Sequence, residues 1–307
     1  MKKAIVTGAN GFVGSALVKE LVKNKIEVIA LVHQGHADNI PKNDLIQIKN
    51  LELDKVAELY DDLKKEGADI FYHFAWKGSA GAERANTELQ LANAQWTIDC
   101  IRLAKSIGCT RFVEAGSVME IETYKATFNP GNKPGLGYVY GSGKLVAHTM
   151  AKSIAADLDI DLIWGMITNA YGVGEVSPRM VNTTIRKCIK GENPQFTAGT
   201  QNYDFVYIED VARAFYLIGE KGKPFNEYMI GSSCAKPLKE FLLEMKEAIA
   251  PELEFIFGDI PFTGVNMPLS EFDCTKTFED TGFKAKITFA EGCKKTRDWL
   301  ITIEGDK

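Results

Sequence analysis

Short apolar runs alternate with longer amphipathic segments through the first half of the chain. The apolar runs, rich in β-branched residues, predict buried strands at residues 3–7, 26–32, 46–48, 70–75, 111–115 and 161–167. Apolar residues at helical spacing predict helices between them, at residues 14–23, 56–65, 89–107 and 140–158. Because strands that alternate with helices pair in parallel through right-handed crossovers, we expect an α/β fold with a doubly wound parallel sheet.

The second half of the chain has a different character. It begins with a segment punctuated by Gly and Pro, and its predicted elements are shorter. These elements are a basic helix at residues 181–190, strands at 205–208 and 228–230, and helices at 210–218, 237–250 and 289–301. We therefore divide the chain into a large domain at residues 1–170, with 203–231 returning to it, and a smaller C-terminal α/β domain at 171–202 and 232–307.

The composition is typical of a globular protein. Apolar residues make up 45% of the 307 residues and charged residues 25%, which provides enough apolar surface for a sizeable core. The formal net charge of −5 argues against a polyanionic partner, so we expect no nucleic-acid binding. No run approaches the ~20 apolar residues of a membrane helix, and polar residues interrupt the signal-like start after residue 6. We therefore expect no membrane association.

The cysteines and histidines indicate neither a disulfide framework nor a metal site. None of the six cysteines is in a C-x-x-C pair, which in a chain of this length indicates free thiols in a reducing cytoplasm. Only His33 and His36 form a close pair of histidines, in a predicted loop. We therefore expect a cytoplasmic protein without a bound metal.

A glycine-rich turn joins the first predicted strand to the first predicted helix. Glycines at positions 8, 11 and 14 allow a tight turn, close approach of a pyrophosphate to the backbone and close packing of the helix on the sheet. The start of the helix adds free N–H groups and the positive end of its dipole. Because this segment lies between a strand and a helix, it predicts that residues 1–170 form a dinucleotide-binding Rossmann domain.

The end of the second strand determines the choice between NAD and NADP in such a domain. An Asp or Glu there binds the ribose hydroxyls of NAD, and an Arg favours the 2′-phosphate of NADP. The chain has Leu31, Val32, His33 and Gln34 at this point. His33 can contact either form of the ribose, so the cofactor is NAD or NADP and the choice stays open.

Tyr140 and Lys144 stand four residues apart and share one face of a predicted helix. A phenol is a weak acid at neutral pH, and a neighbouring ammonium stabilises its phenolate. Ser117 follows the strand at 111–115, where the active sites of open α/β sheets lie, so its hydroxyl can polarise a substrate oxygen while Tyr140 moves the proton. Each residue alone also fits a structural role, as part of an ordinary helix or as a serine that caps a loop.

An ordered series of motifs resembles the extended short-chain dehydrogenase/reductase family, in its NAD(P)-dependent nucleotide-sugar epimerase, dehydratase and 4-ketoreductase group. The series runs from about residue 4 to about residue 300. Its motifs are Thr7-Gly-x-x-Gly11-Phe12-x-Gly14, His73-Phe74-Ala75, Asn93, Ser117, Tyr140-x-x-x-Lys144, Asn169-Ala-Tyr171-Gly172, Asp204-Phe-Val-Tyr-Ile-Glu-Asp210 and Tyr228-Met-Ile-Gly231. Agreement in both order and spacing carries the resemblance, because chance agreement of this kind is remote.

The resemblance implies a cofactor site, a catalytic group and a nucleotide-sugar substrate. The residues implied at the pyrophosphate are Gly8, Asn10, Gly11, Phe12, Val13 and Gly14. His33, Phe74 and Ala75 would lie along the adenosine and its ribose, and Tyr140 and Lys144 would lie at the nicotinamide. Asn93 would brace the catalytic loop near Ser117. The implied catalytic residues are Ser117, Tyr140 as acid and base, and Lys144. Ser117 and Asn169 would contact the substrate, and a homodimer would form through the helices at 89–107 and 140–158.

Two departures from the family pattern bear on the substrate. Family dehydratases carry an Asp-Glu pair directly after the active-site hydroxyl, whereas Val-Met follows Ser117, so we expect no 4,6-dehydratase activity. Tyr203 stands where the family usually has an Arg for the nucleotide diphosphate, so another cation must bind the substrate. Arg179 and Lys187 are the candidates, although a solvated basic helix explains them equally well.

We expect hydride transfer at carbon 4 of a nucleotide-linked hexose. The segments at 261–268 and 280–283 are similar to enzymes of bacterial deoxysugar pathways, which favours a 4-keto-6-deoxysugar nucleotide reductase. A nucleotide-sugar 4-epimerase with tightly bound NAD, similar to UDP-glucose 4-epimerase, uses the same chemistry and stays open. A non-catalytic nucleotide-sensing regulator is the remaining alternative, and the presence of Tyr140, Lys144 and Ser117 argues against it.

Overall fold

The computed structural model describes residues 1–305, and strands alternate with helices through the first half. The elements of this half are β1 (Lys3–Thr7), α1 (Phe12–Lys23), β2 (Glu27–Val32), β3 (Ile46–Asn50), α2 (Tyr60–Glu66), β4 (Ile70–His73), α3 (Thr87–Ile107), β5 (Arg111–Ser117), α4 (Met119–Phe128), α5 (Val139–Asp157) and β6 (Asp161–Ile167). Short 3-10 helices at Leu53–Leu59, Ala82–Ala85 and Leu136–Tyr138 precede α2, α3 and α5.

The second half combines short strands with five helices in the described part of the chain. Its elements are β7 (Asn169–Tyr171), α6 (Met180–Ile189), β8 (Gln195–Phe196), β9 (Asn202–Tyr203), β10 (Phe205–Tyr207), α7 (Ile208–Lys221), β11 (Asn226–Ile230), β12 (Lys236–Pro237), α8 (Leu238–Ile249), β13 (Ile256–Phe257), α9 (Thr275–Thr281) and α10 (Phe289–Gly305). A 3-10 helix at Leu269–Phe272 precedes α9.

The central sheet has seven parallel strands in the order β11-β6-β5-β4-β1-β2-β3. β1 pairs with β2 on one side and with β4 on the other, so the strand order reverses at β1. In open α/β sheets the ligand crevice lies at the carboxyl ends of the strands beside such a reversal. The structure confirms the predicted doubly wound parallel sheet of Rossmann type.

Helices cover both faces of the sheet and bury its side chains. On one face α1 and α7 contribute Leu17 and Phe215, and on the other α3 and α5 contribute Ile101, Ala147 and Ala151. The buried alanines of α5 are small and four residues apart, which lets α5 pack closely on α3. Because α5 runs antiparallel to the strand that follows it, its first turn stands at the carboxyl edge of the sheet.

Several element boundaries differ from the sequence prediction. β5 extends to Ser117, which therefore ends the strand and does not follow it. β4 ends at His73, because the N–H groups of Phe74 and Ala75 donate to the side-chain Oγ1 of Thr7 in β1 and not to a backbone carbonyl of a neighbouring strand. The sequence did not predict α4, since apolar and polar residues mix along it without a continuous apolar stripe.

Four expectations from the sequence concern the chain as a whole. None of the helices within residues 1–305 is long and apolar enough to cross a bilayer, and that part of the chain gathers no group of three or more metal-ligating side chains. The segment 203–231 contributes β11 to the central sheet, where β11 pairs with β6. The division into two domains and the homodimer stay predictions.

Candidate active site

A cavity of about 740 Å³ opens at the carboxyl ends of the central strands. Its walls are the turn after β1, the loops after β4 and β5, the first turns of α5 and several segments of the second half. Most of the predicted site residues line this cavity, namely Gly8, Gly11, Phe12, Val13, Gly14, Phe74, Ala75, Ser117, Tyr140, Lys144, Asn169 and Arg179. The volume lies within the ~300 to 1,000 Å³ that is typical of small-molecule sites.

Gly8, Gly11 and Gly14, which have no side chains, shape the turn between β1 and α1, and this turn is called the glycine cradle below. Gly8 has a φ of +63°, and a Cβ at this position would lie 2.7 Å from the backbone N of Ala75. A Cβ at Gly14 would lie 2.1 Å from the carbonyl O of Gly8, so the first turn of α1 packs directly on the loop. Among the described residues no side chain caps the start of α1, and its first turn carries no acid. These features fit the pyrophosphate of a dinucleotide.

Hydrogen bonds to Thr7 at the end of β1 hold the loop after β4 in place. Oγ1 of Thr7 accepts hydrogen bonds from the N–H groups of Phe74 and Ala75 and lies 2.8 Å from Nδ1 of His73. Burial lowers the pKa of His73 to about 3, so its ring is neutral. Phe74 also packs edge-on against Phe215, with ring centres 4.6 Å apart. Phe74 and Ala75 therefore lie beside the glycine turn, and their contact with the adenosine ribose stays a prediction.

Two of the predicted cofactor residues bind other loops. Asn93 accepts a hydrogen bond from the N–H of Lys77 and donates to its carbonyl, each at 2.8 Å, so it braces the loop after β4 and not the loop near Ser117. The side chain of Asn10 accepts the N–H of Asn39 at 2.8 Å. Within the described chain neither asparagine lines the cavity, because both side chains are used to join backbone segments.

His33 has an acidic neighbour that the sequence did not reveal. Its Nε2 lies 3.1 Å from Oε2 of Glu52, and both side chains are partly exposed at the end of β2. The carboxylate comes from the segment that follows β3, and it reaches this point because Val32 pairs with Asn50 in the sheet. His33 itself lies outside the cavity lining in the described residues. An acid is therefore present where the sequence showed none.

Ser117 is held at the end of β5 by its own local hydrogen bonds. Its Oγ accepts the N–H of Met119 at 3.2 Å, and its N–H donates to Oε1 of Glu120 at 2.8 Å. Oε1 of Glu120 also accepts the indole N–H of Trp164, and Oε2 lies 2.8 Å from Nδ1 of His148. Glu120 is buried, and both of its carboxylate oxygens have partners in this network, which fixes the backbone at Ser117.

Tyr140 lies in the first turn of α5 with its ring buried at the cavity wall. The guanidinium carbon of Arg84 lies 4.2 Å from the centre of this ring, which is a close cation–π contact. Nη1 of Arg84 donates to the carbonyl of Ser79 at 3.0 Å, and Arg84 lines the same cavity. A second aromatic ring, that of Trp76, meets Tyr140 edge-on with ring centres 6.0 Å apart.

Lys144 lies one helical turn after Tyr140, and its ammonium is buried among two oxygen atoms and an aromatic ring. Its Nζ donates to the carbonyl of Ala115 at 2.7 Å and to Oε1 of Glu114 at 3.2 Å, and it lies 3.6 Å from the centre of the Trp76 ring. Glu114 is 1% exposed, and burial raises its pKa to about 7 against the opposing charge of Lys144. The sequence offered one signal of this pair, a single acid within an otherwise apolar strand.

Residues of the second half and of the start of α4 supply polar groups and an apolar wall to the cavity. Asn169 donates to the carbonyl of Asp204 at 3.2 Å, and Arg179 lies 3.5 Å from Glu175. Lys187, the other predicted cation, does not line the cavity in the described residues. Glu122 of α4 does line it and accepts the hydroxyl of Tyr138 at 3.1 Å. The apolar wall comprises Val118, Phe262, Val265, Met267 and Phe272.

A comparison with known protein families gives a match over most of the chain. The family model described as "NAD dependent epimerase/dehydratase family" matches residues 4–231. Among curated relatives, UDP-glucuronic acid decarboxylase 6 of Arabidopsis thaliana is 27% identical, over 94% of this chain and 86% of that protein. A dTDP-glucose 4,6-dehydratase of Haemophilus influenzae is 21% identical, over 98% of each chain.

Solved structures show the same fold. A UDP-N-acetylglucosamine 4-epimerase from Methanobrevibacter ruminantium M1 superposes with a TM-score of 0.81 at 19% identity, and the match covers 98% of this chain and 99% of the other. The UDP-glucose 4-epimerase of Thermotoga maritima gives a TM-score of 0.80 at 20% identity, with the same coverage. At these identities the likeness shows the fold alone.

Proposed function

The chain belongs to the NAD dependent epimerase/dehydratase family, and we propose that it transfers a hydride between NAD and carbon 4 of a nucleotide-linked hexose. The observation that carries this proposal is the meeting of two features in one cavity. The glycine cradle after β1 and the side chains of Ser117, Tyr140 and Lys144 line it together. A cradle that fits a pyrophosphate thus adjoins a phenol and an alcohol that can share one substrate oxygen.

The roles of the residues follow from their chemistry. Tyr140 donates a proton to the oxygen on carbon 4 when that oxygen gains charge, or accepts its proton in the reverse direction. Ser117 donates a hydrogen bond to the same oxygen and orients it. Lys144 presents positive charge beside Tyr140, one helical turn away, and binds ribose hydroxyls. NAD, when bound, supplies or accepts the hydride, and the buried wall around Tyr140 excludes water.

The apolar wall favours a 6-deoxysugar as the hexose. Val118 directly follows Ser117, and it packs with Met267 and Phe272 in a small buried cluster. A hexose whose carbon-4 oxygen contacts Ser117 places carbon 6 near this point, where a methyl group is accepted more readily than a hydroxymethyl group. We therefore propose reduction of a 4-keto-6-deoxysugar nucleotide as the reaction, with NADH consumed in proportion to product.

A 4-epimerase is the second candidate. The solved structures that this fold matches include nucleotide-sugar 4-epimerases along nearly the whole chain, and their reaction uses one oxidation and one reduction at carbon 4 with no net use of NAD. A 4,6-dehydratase is less favoured, although dehydratases are among the relatives. The acid that follows Ser117 most closely, Glu120, is committed to Trp164 and His148 and does not line the cavity in the described residues.

Two assays test the proposal and separate its two forms. The reductase consumes one NADH for each dTDP-4-keto-6-deoxyglucose converted, whereas the epimerase interconverts UDP-glucose and UDP-galactose without net change in NADH. In either case Tyr140→Phe lowers the rate about 100- to 10,000-fold while NAD binding is kept. Tyr124→Phe, at an exposed tyrosine of α4, is the matched control and leaves the rate unchanged. Wild-type turnover by Tyr140→Phe would remove Tyr140 from the mechanism.

A further inference from the structure

Glu122 lies within the apolar wall of the cavity, which it lines from α4. Its N–H donates to the carbonyl of Val118 at 3.1 Å, so the two residues are one helical turn apart on the same face. The segment that carries Phe262 and Val265 also approaches this acid, since a Cβ at Gly264 would lie 3.6 Å from Oε1 of Glu122. An acid therefore stands among the apolar side chains that face a ligand in the cavity.

The hydroxyl of Tyr138 fixes the position of this acid. It donates to Oε1 of Glu122 at 3.1 Å and accepts the N–H of Val265 at 3.1 Å. Tyr138 directly precedes α5, so this one phenol joins α4, α5 and the segment at 262–268. A carboxyl group has two oxygens, and this link requires only one of them. The other oxygen can therefore face a ligand in the cavity.

Acids and bases line the cavity together. In the described part of the chain its charged lining residues are Arg84, Glu122, Lys144, Glu175 and Arg179. Glu175 pairs with Arg179 at the start of α6, with Nε and Oε2 3.5 Å apart. Burial raises the pKa of Glu122, and the hydroxyl of Tyr138 and the charge of Arg84 act against that rise. An anion that reaches the apolar wall therefore meets the acid of Glu122 there.

The proposed substrate places its carbon 6 at this wall. Carbon 6 is bonded to carbon 5, the neighbour of carbon 4, so a sugar whose carbon-4 oxygen contacts Ser117 has carbon 6 beside Val118 and Glu122. A 6-deoxyhexose carries a methyl group there, and an ordinary hexose carries a hydroxymethyl group, which can donate to a carboxyl oxygen. A hexuronic acid carries a carboxylate, which would lose its hydration against apolar side chains and face a second acid.

We infer that Glu122 is a specificity-determining residue that excludes hexuronic acids, so that the cavity accepts a hexose whose carbon 6 carries no charge. The inference rests on the proposed function, because that function places the carbon-4 oxygen at Ser117. A repulsive element of this kind gives specificity by weakening the competitor and not by strengthening the substrate. Arg84 acts in the opposite sense, since a guanidinium attracts the carboxylate that Glu122 repels. The affinities of the two kinds of sugar show which group prevails at carbon 6.

Two nucleotide sugars that differ only at carbon 6 test the inference by calorimetry. UDP-glucose and UDP-glucuronic acid share the base, the diphosphate and the sugar ring, and each is titrated into protein saturated with NAD. The wild type binds UDP-glucose at least about tenfold more tightly, because like charges brought together weaken binding. Glu122→Gln keeps the shape of the side chain and removes the acid, so this preference falls at least about fivefold. The dTDP counterparts of both sugars are titrated in the same way.

Three further variants separate the charge of Glu122 from its structural link. Tyr138→Phe breaks the link and keeps the acid, and Glu247→Gln removes an exposed acid of α8, so both leave the preference as in the wild type. The double variant Glu122→Gln/Tyr138→Phe leaves no hydroxyl that needs the carboxylate, so it serves if Glu122→Gln fails to fold, and its preference is equally low. Equal binding of the two sugars by the wild type, an unchanged preference in Glu122→Gln, or an equal fall in Tyr138→Phe would overturn the inference.

The same titrations distinguish this inference from the proposed function. A preference that depends on Glu122, together with no hydride transfer to or from any nucleotide sugar, would support the inference and contradict the proposed reaction. Reduction of dTDP-4-keto-6-deoxyglucose that depends on Tyr140, together with equal binding of the two UDP sugars, would support the reaction and contradict the inference. A wild type that binds none of the four nucleotide sugars would contradict both.

Discussion

Nδ1 of His148 lies 2.8 Å from Oε2 of Glu120, and this contact joins the helix that carries Tyr140 and Lys144 to the strand end that carries Ser117. The ring of His148 is also stacked on the indole of Trp164, with centres 4.1 Å apart. The three groups assigned to chemistry are thus fixed relative to one another by a buried network behind them.

The first prediction concerns pH and stability. Burial alone would lower the pKa of His148, but hydrogen bonds to Glu120 and Glu227 outweigh it and raise the pKa to about 9. A histidine with a raised folded-state pKa stabilises the protein fully below its unfolded value of about 6.5, and that stability is lost as the pH rises toward 9. We expect the free energy of unfolding to fall by on the order of 2 kcal/mol over this range, since the exposure of Glu227 screens part of the effect.

Urea unfolding at pH values from 6 to 9.5 measures this loss. In His148→Gln the slope between pH 6.5 and 9 is largely removed, because the titrating group is absent. His36→Gln, at an exposed loop histidine, keeps the wild-type slope. A wild-type free energy of unfolding that is level across the range would contradict the prediction.

The second prediction concerns the glycine cradle. A Cβ at Gly14 would lie 2.1 Å from the carbonyl O of Gly8, so Gly14→Ala forces α1 and the turn apart. We expect a loss of about 1 to 3 kcal/mol of stability and a dissociation constant for NAD at least tenfold higher, as read from thermal unfolding and calorimetric titration. Gly135→Ala is the control, because a Cβ there meets no atom within 4 Å. Wild-type affinity for NAD in Gly14→Ala would show that the cradle does not bind the pyrophosphate.

The third prediction concerns the substrate diphosphate. Tyr203, Arg84 and Arg179 all line the cavity, and the two guanidinium groups can supply the positive charge that a diphosphate requires. Because charge-assisted hydrogen bonds contribute about 1.5 to 3 kcal/mol, Arg84→Met raises the dissociation constants of UDP and dTDP at least tenfold. Calorimetry with these two nucleotides needs no knowledge of the sugar. Arg297→Met, which removes an arginine paired with Asp298 on α10, leaves both constants unchanged.

Three features could be predicted from local patterns, because each depends on residues close in sequence or on motif spacing. They are the alternation of strands and helices, the glycine turn, and the group of Ser117, Tyr140 and Lys144. Contacts between distant segments were not predictable in this way. Arg84 reaches the ring of Tyr140 only because the loop after β4 folds back across the first turn of α5. Asn93 was expected beside Ser117 and is bound to Lys77, since the loop after β4 passes closer to α3.

The last prediction concerns the choice of cofactor, which the sequence left open. Glu52 places a carboxylate 3.1 Å from Nε2 of His33 at the end of β2, where the adenosine ribose of a bound dinucleotide lies in this fold. A carboxylate there accepts hydrogen bonds from ribose hydroxyls and repels a 2′-phosphate. We therefore expect NADH to bind at least tenfold more tightly than NADPH, which corresponds to about 1.4 kcal/mol.

Fluorescence titration with both reduced nucleotides measures this preference directly. Glu52→Gln removes the negative charge and keeps the shape, so the affinity for NADPH rises and the ratio falls below about threefold. Glu58→Gln makes the same change of charge at an exposed position in the 3-10 helix that follows, and the ratio stays as in the wild type. Equal affinities for the two nucleotides in the wild type would contradict the assignment, because the carboxylate of Glu52 would then have no effect on a phosphate placed beside it.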